Sequence, residues 1–554
     1  MNWKKWSLLL TLVFMLSVIL VACGGGNDNA DKDNNSGGGD NSGEGELAEE
    51  QVFNINIKTE PPSLHPAKAT DTTSSAVLDQ VFEGLTRINQ ETGEPEEAMA
   101  EEIDVSDDGL TYTFTIRDDA TWTNGDPVTA DDFEYAWKWV LDPENADTEY
   151  SYQLYPIKGA EAADTDEGSL DDVGVTAEDE DTLVVELEQP TEYFLDLTAF
   201  YTFYPINEDV VKDNDDWDKD AGEDYVSNGP FELVEWDHKD QIVIEKNEDY
   251  WDADEVTLET VNMHMIDDES TEQQMYENGD LDWAGDPTGA IPLAAIPTMK
   301  EEGELEISDR SGVYYMSFNH DEEPFDNENI RKAFASAIDR ESVVENITQS
   351  EEKPAMGLVP PSIFPENEEG YFEDNDPDAA KEYLEEGLDE LDLDELPKVK
   401  ISYNTDEGHE AIAQALQDLW KKNLDVDVEL NNEEWNVYLD SMSEGDYQIG
   451  RMGWIADFDD AINFLEIFET VGGNNYTNWE DEDYQALLKE SREELDPDKR
   501  EDILKEAEEM FMDEMVIAPV YFYTNTYAKK DYVHDIEVGP LGVIQFKWGY
   551  ITEE

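Results

Sequence analysis

Apolar and polar residues alternate with a period of two at several places along the chain. Phe53, Ile55 and Ile57 flank Asn54 and Asn56, and the β-branched and aromatic runs Tyr112–Ile116, Asp181–Leu187 and Gln241–Glu245 also read as strands. Side chains on a strand point alternately to its two faces, so each run predicts a strand. Elsewhere the period is helical: Ile330, Phe334, Ala337 and Ile338 share one face of 327–340, which predicts a helix there. Between 398 and 430 both periods occur in turn. Val399–Tyr403 is strand-like, Ile412, Leu416, Leu419 and Trp420 form a helical stripe, and Val426, Val428 and Leu430 alternate again. Strand, helix, strand at this length is a βαβ unit, which places the chain in the α/β class. No fixed-period repeat is present.

The N-terminus follows a different logic. Lys4 and Lys5 precede an apolar stretch from Ser7 to Ala22 that ends Leu20-Val21-Ala22-Cys23. A charged start, a short apolar segment and small residues at the cut site predict a secretory signal over 1–22. A membrane-spanning helix needs about 20 apolar residues and no cleavage site. Cys23 is the only cysteine, so no disulfide is expected. Its place directly after the cut resembles a bacterial lipobox, in which the thiol carries a lipid. Residues 23–50 are then lipidated Cys23 and a flexible linker of Gly, Asn, Asp and Ser. The expected location is the extracellular face of the cytoplasmic membrane, lipid-anchored.

Composition sets the scale and narrows the partners. At 554 residues the chain is too long for one hydrophobic core, so two or three lobes are expected. With 39% hydrophobic residues, 14 Trp, 25 Tyr and 20 Phe, it has the material to pack them. Asp and Glu number 141 against 33 Lys and Arg, a net charge of −108. Such a surface repels nucleic acid and anionic lipid headgroups. The acids are spread along the whole chain, which points to solubility in a saline or alkaline habitat more than to a cationic ligand. At about 1 M salt the Debye length is only ~3 Å, and self-repulsion is largely screened.

Enzyme signatures are sparse. No G-x-S-x-G elbow, phosphate-cradling Gly-Lys loop or dinucleotide glycine fingerprint occurs. His409-Glu410 begins like a zinc-protease helix, but the position of the second imidazole is Ala413. No metal and no cofactor are called for. With 141 acids a carboxylate pair within catalytic range is expected by chance, so a secreted carboxylate-dependent hydrolase stays open as an alternative.

Several runs, in order, resemble the oligopeptide-binding proteins of peptide ABC importers, solute-binding protein family 5. They are Glu60-Pro61-Pro62-Ser63-Leu64-His65-Pro66-Ala67, Val81-Phe82-Glu83-Gly84-Leu85, Ala120 to Phe133, Ser227-Asn228-Gly229-Pro230-Phe231, Asn247 to Trp251, Arg331 to Arg340, Val359-Pro360-Pro361 and Arg451 to Asp457. The resemblance implies a periplasmic-binding-protein-like fold, two lobes joined by a hinge with an additional inserted domain. Lobe I would comprise 51–84, 206–309 and 525–554, the inserted domain 85–205, and the other lobe 310–524. It implies a monomeric receptor, not an enzyme, that captures oligopeptides between its lobes and delivers them to an ABC permease. A same-fold receptor for nickel, a sugar or a signalling peptide is the alternative.

A receptor for many peptides should read what all peptides share: an ammonium, a backbone and a carboxylate. By resemblance, Asp457 holds the ammonium, the alternative being one more solvated acid. Gly453 leaves room for a backbone, and Trp454 forms a pocket wall or simply core. Arg451 and His409 match positions that meet the carboxylate. The alternatives are an Arg451 ion pair with a nearby acid and a His409 that faces water at a helix start. Trp435 and Tyr476 are further wall candidates. Two departures put the carboxylate end in question: Glu322 stands where relatives carry a base, and Thr70 where they carry an acid.

Overall fold

The chain was analysed as a computed structural model that describes residues 45–553, apart from 91–92, 146–147, 215 and 369. The signal segment and Cys23 lie outside the described residues. The folded body starts earlier than the linker expectation allowed. Ala48 N–H donates to Ile551 O at 2.9 Å, Glu553 N–H donates to Glu46 O at 2.9 Å, and the Gln51 amide donates to both Ala48 O and Ile551 O. Residues 46–50 are thus held by backbone hydrogen bonds to the C-terminal strand. Composition alone does not reveal this, because backbone groups pair whatever the side chain.

Three sheets of four or more strands, with two two-stranded sheets beside them, organise the described residues of Glu46–Glu554, which form one compact unit. The first has the order Val52–Asn56, Thr260–His264, Gln241–Lys246, Phe231–Asp237, with its first pair parallel and the others antiparallel. Phe53 and Ile55 are buried as their period requires. Asn56 is buried too, at 1% exposure, because its amide donates to the buried Glu272 at 2.7 Å and its carbonyl oxygen accepts from Ile266 N–H at 2.9 Å. A buried polar side chain is tolerated when its hydrogen bonds are made. The second sheet is antiparallel: Ala100–Val105, Thr111–Ile116, Thr182–Glu186, Val175–Asp179. The helix Ala130–Val140 covers it, burying Phe133 and Trp137.

The third and largest sheet runs Trp283–Gly285, Ile517–Lys529, Glu306–Phe318, Ile449–Ile455, Val399–Asn404, Val428–Glu433. Its last two strands are parallel and joined by the helix Glu407–Leu424, the βαβ unit expected from the periodicity. Ile412, Leu416 and Trp420 of the stripe are buried, and the Trp420 indole donates to Phe334 O at 2.9 Å. The two 13-residue strands Glu306–Phe318 and Ile517–Lys529 pair antiparallel along their length, with a break. Glu306–Asp309 pair with Thr524–Tyr527, and Val313–Ser317 with Ile517–Phe522. Arg310, Ser311, Gly312 and Tyr523 fall in the gap.

The helix expected over 327–340 is two pieces. Glu328–Ser336 is capped by Asn327, whose side chain accepts from Ile330 N–H, and a separate turn, Arg340–Val343, is capped by Asp339. The reason is tertiary. Arg340 is fully buried and donates to Pro519 O at 2.7 Å, Ala335 O at 3.2 Å and Asp374 at 3.0 Å, while Asn423 donates to Ala337 O at 2.8 Å. The carbonyls that a continuing helix would use are taken by side chains.

Candidate functional site: an enclosed, doubly charged cleft

The strand Ile449–Ile455 forms one wall of a cleft. Arg451, Gly453 and Ile455 are partly accessible and alternate with buried Gly450, Met452 and Trp454. A cavity of about 330 Å³ borders this wall and adjoins a second of about 200 Å³. Thr72, Arg310, Trp435, Arg451 and Tyr523 line both. Lys58, Asp406 and His409 line the first; Thr70, Tyr150, Tyr201, Trp454, Asp457 and Tyr476 line the second.

Asp457 lies two residues beyond the strand. It accepts from the Gln153 amide at 2.8 Å and from the Asn463 amide at 3.1 Å. Asn463 is itself held by Trp454, whose indole N–H donates to its carbonyl oxygen at 2.9 Å. No Lys or Arg among the described residues forms an ion pair with Asp457. Burial therefore pushes its carboxyl up to about 7, against the hydrogen bonds from Asn463 and Gln153. It is not one more solvated acid.

Arg451 has no carboxylate partner among the described residues either, so the ion-pair alternative does not hold. Its Nη2 donates to the Tyr523 hydroxyl at 3.0 Å, its guanidinium lies 4.8 Å from the Tyr314 ring centre, and its Nε is buried without a partner. His409 is the third residue of Glu407–Leu424 and does not face water: its side chain is 16% exposed and its ring packs against Tyr314. Burial, with help from the Arg451 charge, pushes its imidazole down to about 3, so at neutral pH it offers an uncharged N–H and a lone pair.

Trp454 serves as both core and wall, 8% exposed with its ring 6.2 Å from Tyr150. Trp435 opens the helix Trp435–Ser443, and Tyr476 is 9% exposed. Gly453 does not leave open space as expected. A Cβ there would stand 2.3 Å from the Tyr523 hydroxyl, so the absent side chain is what admits Tyr523. Thr70 borders the second cavity beside Asp71, the N-cap of Thr72–Val81. Glu322 is exposed and lines neither cavity, so its charge does not bear on the cleft wall. Gln153, Asn463, Arg310, Tyr523, Lys58 and Asp406 escaped the sequence reading, for no local pattern marks them. Lys58 forms an ion pair with Asp406 and lies 3.7 Å from Glu269, joining the first sheet's segment to the βαβ unit across the cleft. Among the described residues no three His, Cys, Asp or Glu side chains are placed to share a metal ion.

A large α/β body with a partly polar cleft, in which an acid and a base have no ion-pair partner among the described residues, has the character of a solute receptor of the periplasmic-binding-protein type. Residues 94–476 match the family of bacterial extracellular solute-binding proteins, family 5 Middle, and the chain belongs to that family. It is 52% identical over 553 residues to the oligopeptide-binding protein OppA of Bacillus subtilis (strain 168), with 99% of each chain covered. It superposes on Haemophilus influenzae OppA in complex with the peptide RPPGFSPFR at a TM-score of 0.85 and 31% identity, covering 92% of this chain and 100% of that one. Against the murein tripeptide binding protein MppA of Escherichia coli the TM-score is 0.85 at 30% identity, covering 92% and 100%. Against the unliganded open form of MppA it falls to 0.61 at the same identity, covering 92% and 99%.

Proposed function

We propose that this chain is the extracytoplasmic receptor of a peptide ABC importer. It captures oligopeptides in the cleft and presents them to the permease, with no bond in the ligand made or broken. The carrying observation is that Asp457 and Arg451 line one cleft and neither has a counter-charge among the described residues. An uncompensated charge in a closed site is costly, and a ligand with an ammonium at one end and a carboxylate at the other relieves both. Arg451 and Asp457 are six positions apart, up to ~20 Å along an extended chain. With both side chains reaching inward, that span suits a peptide of a few residues. Identity to Bacillus subtilis OppA over the whole chain supports the same reading.

The lobes of the proposed clamp are 51–84, 206–309 and 525–554 on one side and 310–524 on the other, with 85–205 inserted. The paired strands Glu306–Phe318 and Ile517–Lys529 cross between them at the Arg310–Gly312 gap, the natural place for a hinge. The better match to one MppA structure than to its open form supports a closed arrangement. Cys23 would carry the lipid that tethers the receptor, as a monomer, to the outer face of the membrane. No described helix is long and apolar enough to cross one.

Calorimetry with short peptides tests the reading. Asp457→Ala should weaken binding by roughly 2–5 kcal/mol, the range for truncating one partner of a buried charge pair, and unchanged affinity would remove Asp457 from the site. Mass spectrometry of co-purifying ligand should find short mixed peptides. Incubation should return them intact, whereas cleavage products would favour the hydrolase reading.

A further inference from the structure

Arg310 sits in the gap between the two long strands and is 6% exposed. A guanidinium carries five N–H donors, and burial without partners is costly. Among the described residues Arg310 makes one hydrogen bond, Nη1 to Asp286 at 3.5 Å, the outer limit of such a contact; its Nε is buried with no partner. Gly542 lies against its Nε–Nη2 edge: a Cβ there would stand 2.4 Å from Nη2, 2.5 Å from Nε and 2.7 Å from Cζ. A glycine at φ +71° thus admits the guanidinium, whose one charged contact is the long one to Asp286.

Arg451, across the cleft wall, is in the same condition, with Nε unpartnered and no carboxylate. Arg310, Arg451 and Tyr523 all border both cavities, and the Tyr523 hydroxyl lies within the field of both guanidiniums. These donors share the junction of the two cavities with Asp286, which also accepts from Thr526 N–H at 2.8 Å, while Glu352 and Asp406 line the first cavity besides. A planar anion with two oxygens can accept from two guanidiniums and a hydroxyl.

Resting on the receptor reading above, we propose that Arg310 is a second carboxylate-binding residue, which with Arg451 and Tyr523 clamps the anionic end of the ligand. Asp286 is its resting counter-ion, displaced in part when the ligand carboxylate arrives.

The test is the ratio of affinities for trialanine and for its C-terminal amide, measured by calorimetry on the full chain. Wild type should prefer the acid by at least about tenfold, the scale of one charge-assisted hydrogen bond. Arg310→Met should lower acid affinity about tenfold and leave the amide within about twofold, so the ratio collapses; Arg310→Lys should restore part of it. A purely structural role would weaken both ligands alike, and an unchanged ratio in Arg310→Met overturns the assignment. Should Arg310→Met fail to fold, Asp286→Asn serves instead. It frees Arg310 and should raise the acid-to-amide ratio; no rise overturns the assignment. Wild-type protein that binds neither ligand overturns the receptor reading itself, and the clamp with it.

Discussion

Asp457 and Arg451 belong to one motif, yet each is functional through what surrounds it. Burial pushes the Asp457 carboxyl up to about 7, against the hydrogen bonds from Asn463 and Gln153. An ammonium binds the ionised form, so below about 7 capture must expel a proton. Affinity should fall about tenfold per pH unit from pH 7 towards 5. Calorimetry in buffers of different ionisation heat would count the proton released. Asp457→Asn should bind more weakly and lose most of this slope. Asp79 is the control, since it also lines the second cavity and burial pushes it up to about 7 as well; Asp79→Asn should leave most of the slope in place. The motif was legible in the sequence at Asp457, Trp454 and Arg451. Gln153 and Asn463, which hold the carboxylate, and Tyr523, which fills the space at Gly453, were not. They come from segments whose only link to the motif is spatial.

Among elements, the βαβ unit was readable because its signal is local. Ile412, Leu416 and Trp420 recur at helical spacing, and parallel pairing of Val399–Asn404 with Val428–Glu433 needs a crossover of that length. The cost of breaking it is correspondingly definite. Trp420 is fully buried and its indole caps Phe334 O, so Trp420→Ala should lower unfolding free energy by about 3–5 kcal/mol in chemical denaturation. Leu495, 70% exposed, should change by less than about 0.5 kcal/mol on the same substitution. The 327–340 helix failed for the converse reason. Its apolar spacing is real, but the buried Arg340 turns back onto Ala335 O, and Asn423, from outside the segment, claims Ala337 O. The N-terminal boundary failed similarly, since Glu46 and Ala48 pair through backbone groups that carry no sequence signal.

For the whole molecule the dominant quantity is charge. A net −108 over the whole chain repels itself at every separation shorter than the Debye length, about 30 Å at 0.01 M salt and ~3 Å at 1 M. The melting temperature should therefore rise from dilute buffer to molar sodium chloride, and a flat or falling series would rule out adaptation to a saline habitat. The Lys58–Asp406 pair, which ties two lobes of the proposed clamp, is partly buried and should be screened less than the exposed acids.

The sequence by itself determined the α/β class, the strand and helix faces and the family likeness, and it singled out Asp457 as a candidate. Each of these is written in residues close together along the chain, where period and motif can be read. The tertiary structure alone decided that Asp457 and Arg451 have no ion-pair partner among the described residues, that Tyr523 packs into the space at Gly453, that Glu322 stands away from the cleft, and that Arg310 borders both cavities with Arg451. Whether a charge is compensated depends on every segment that folding brings within a few ångströms, and the paired strands that meet here are about two hundred residues or more apart in the chain.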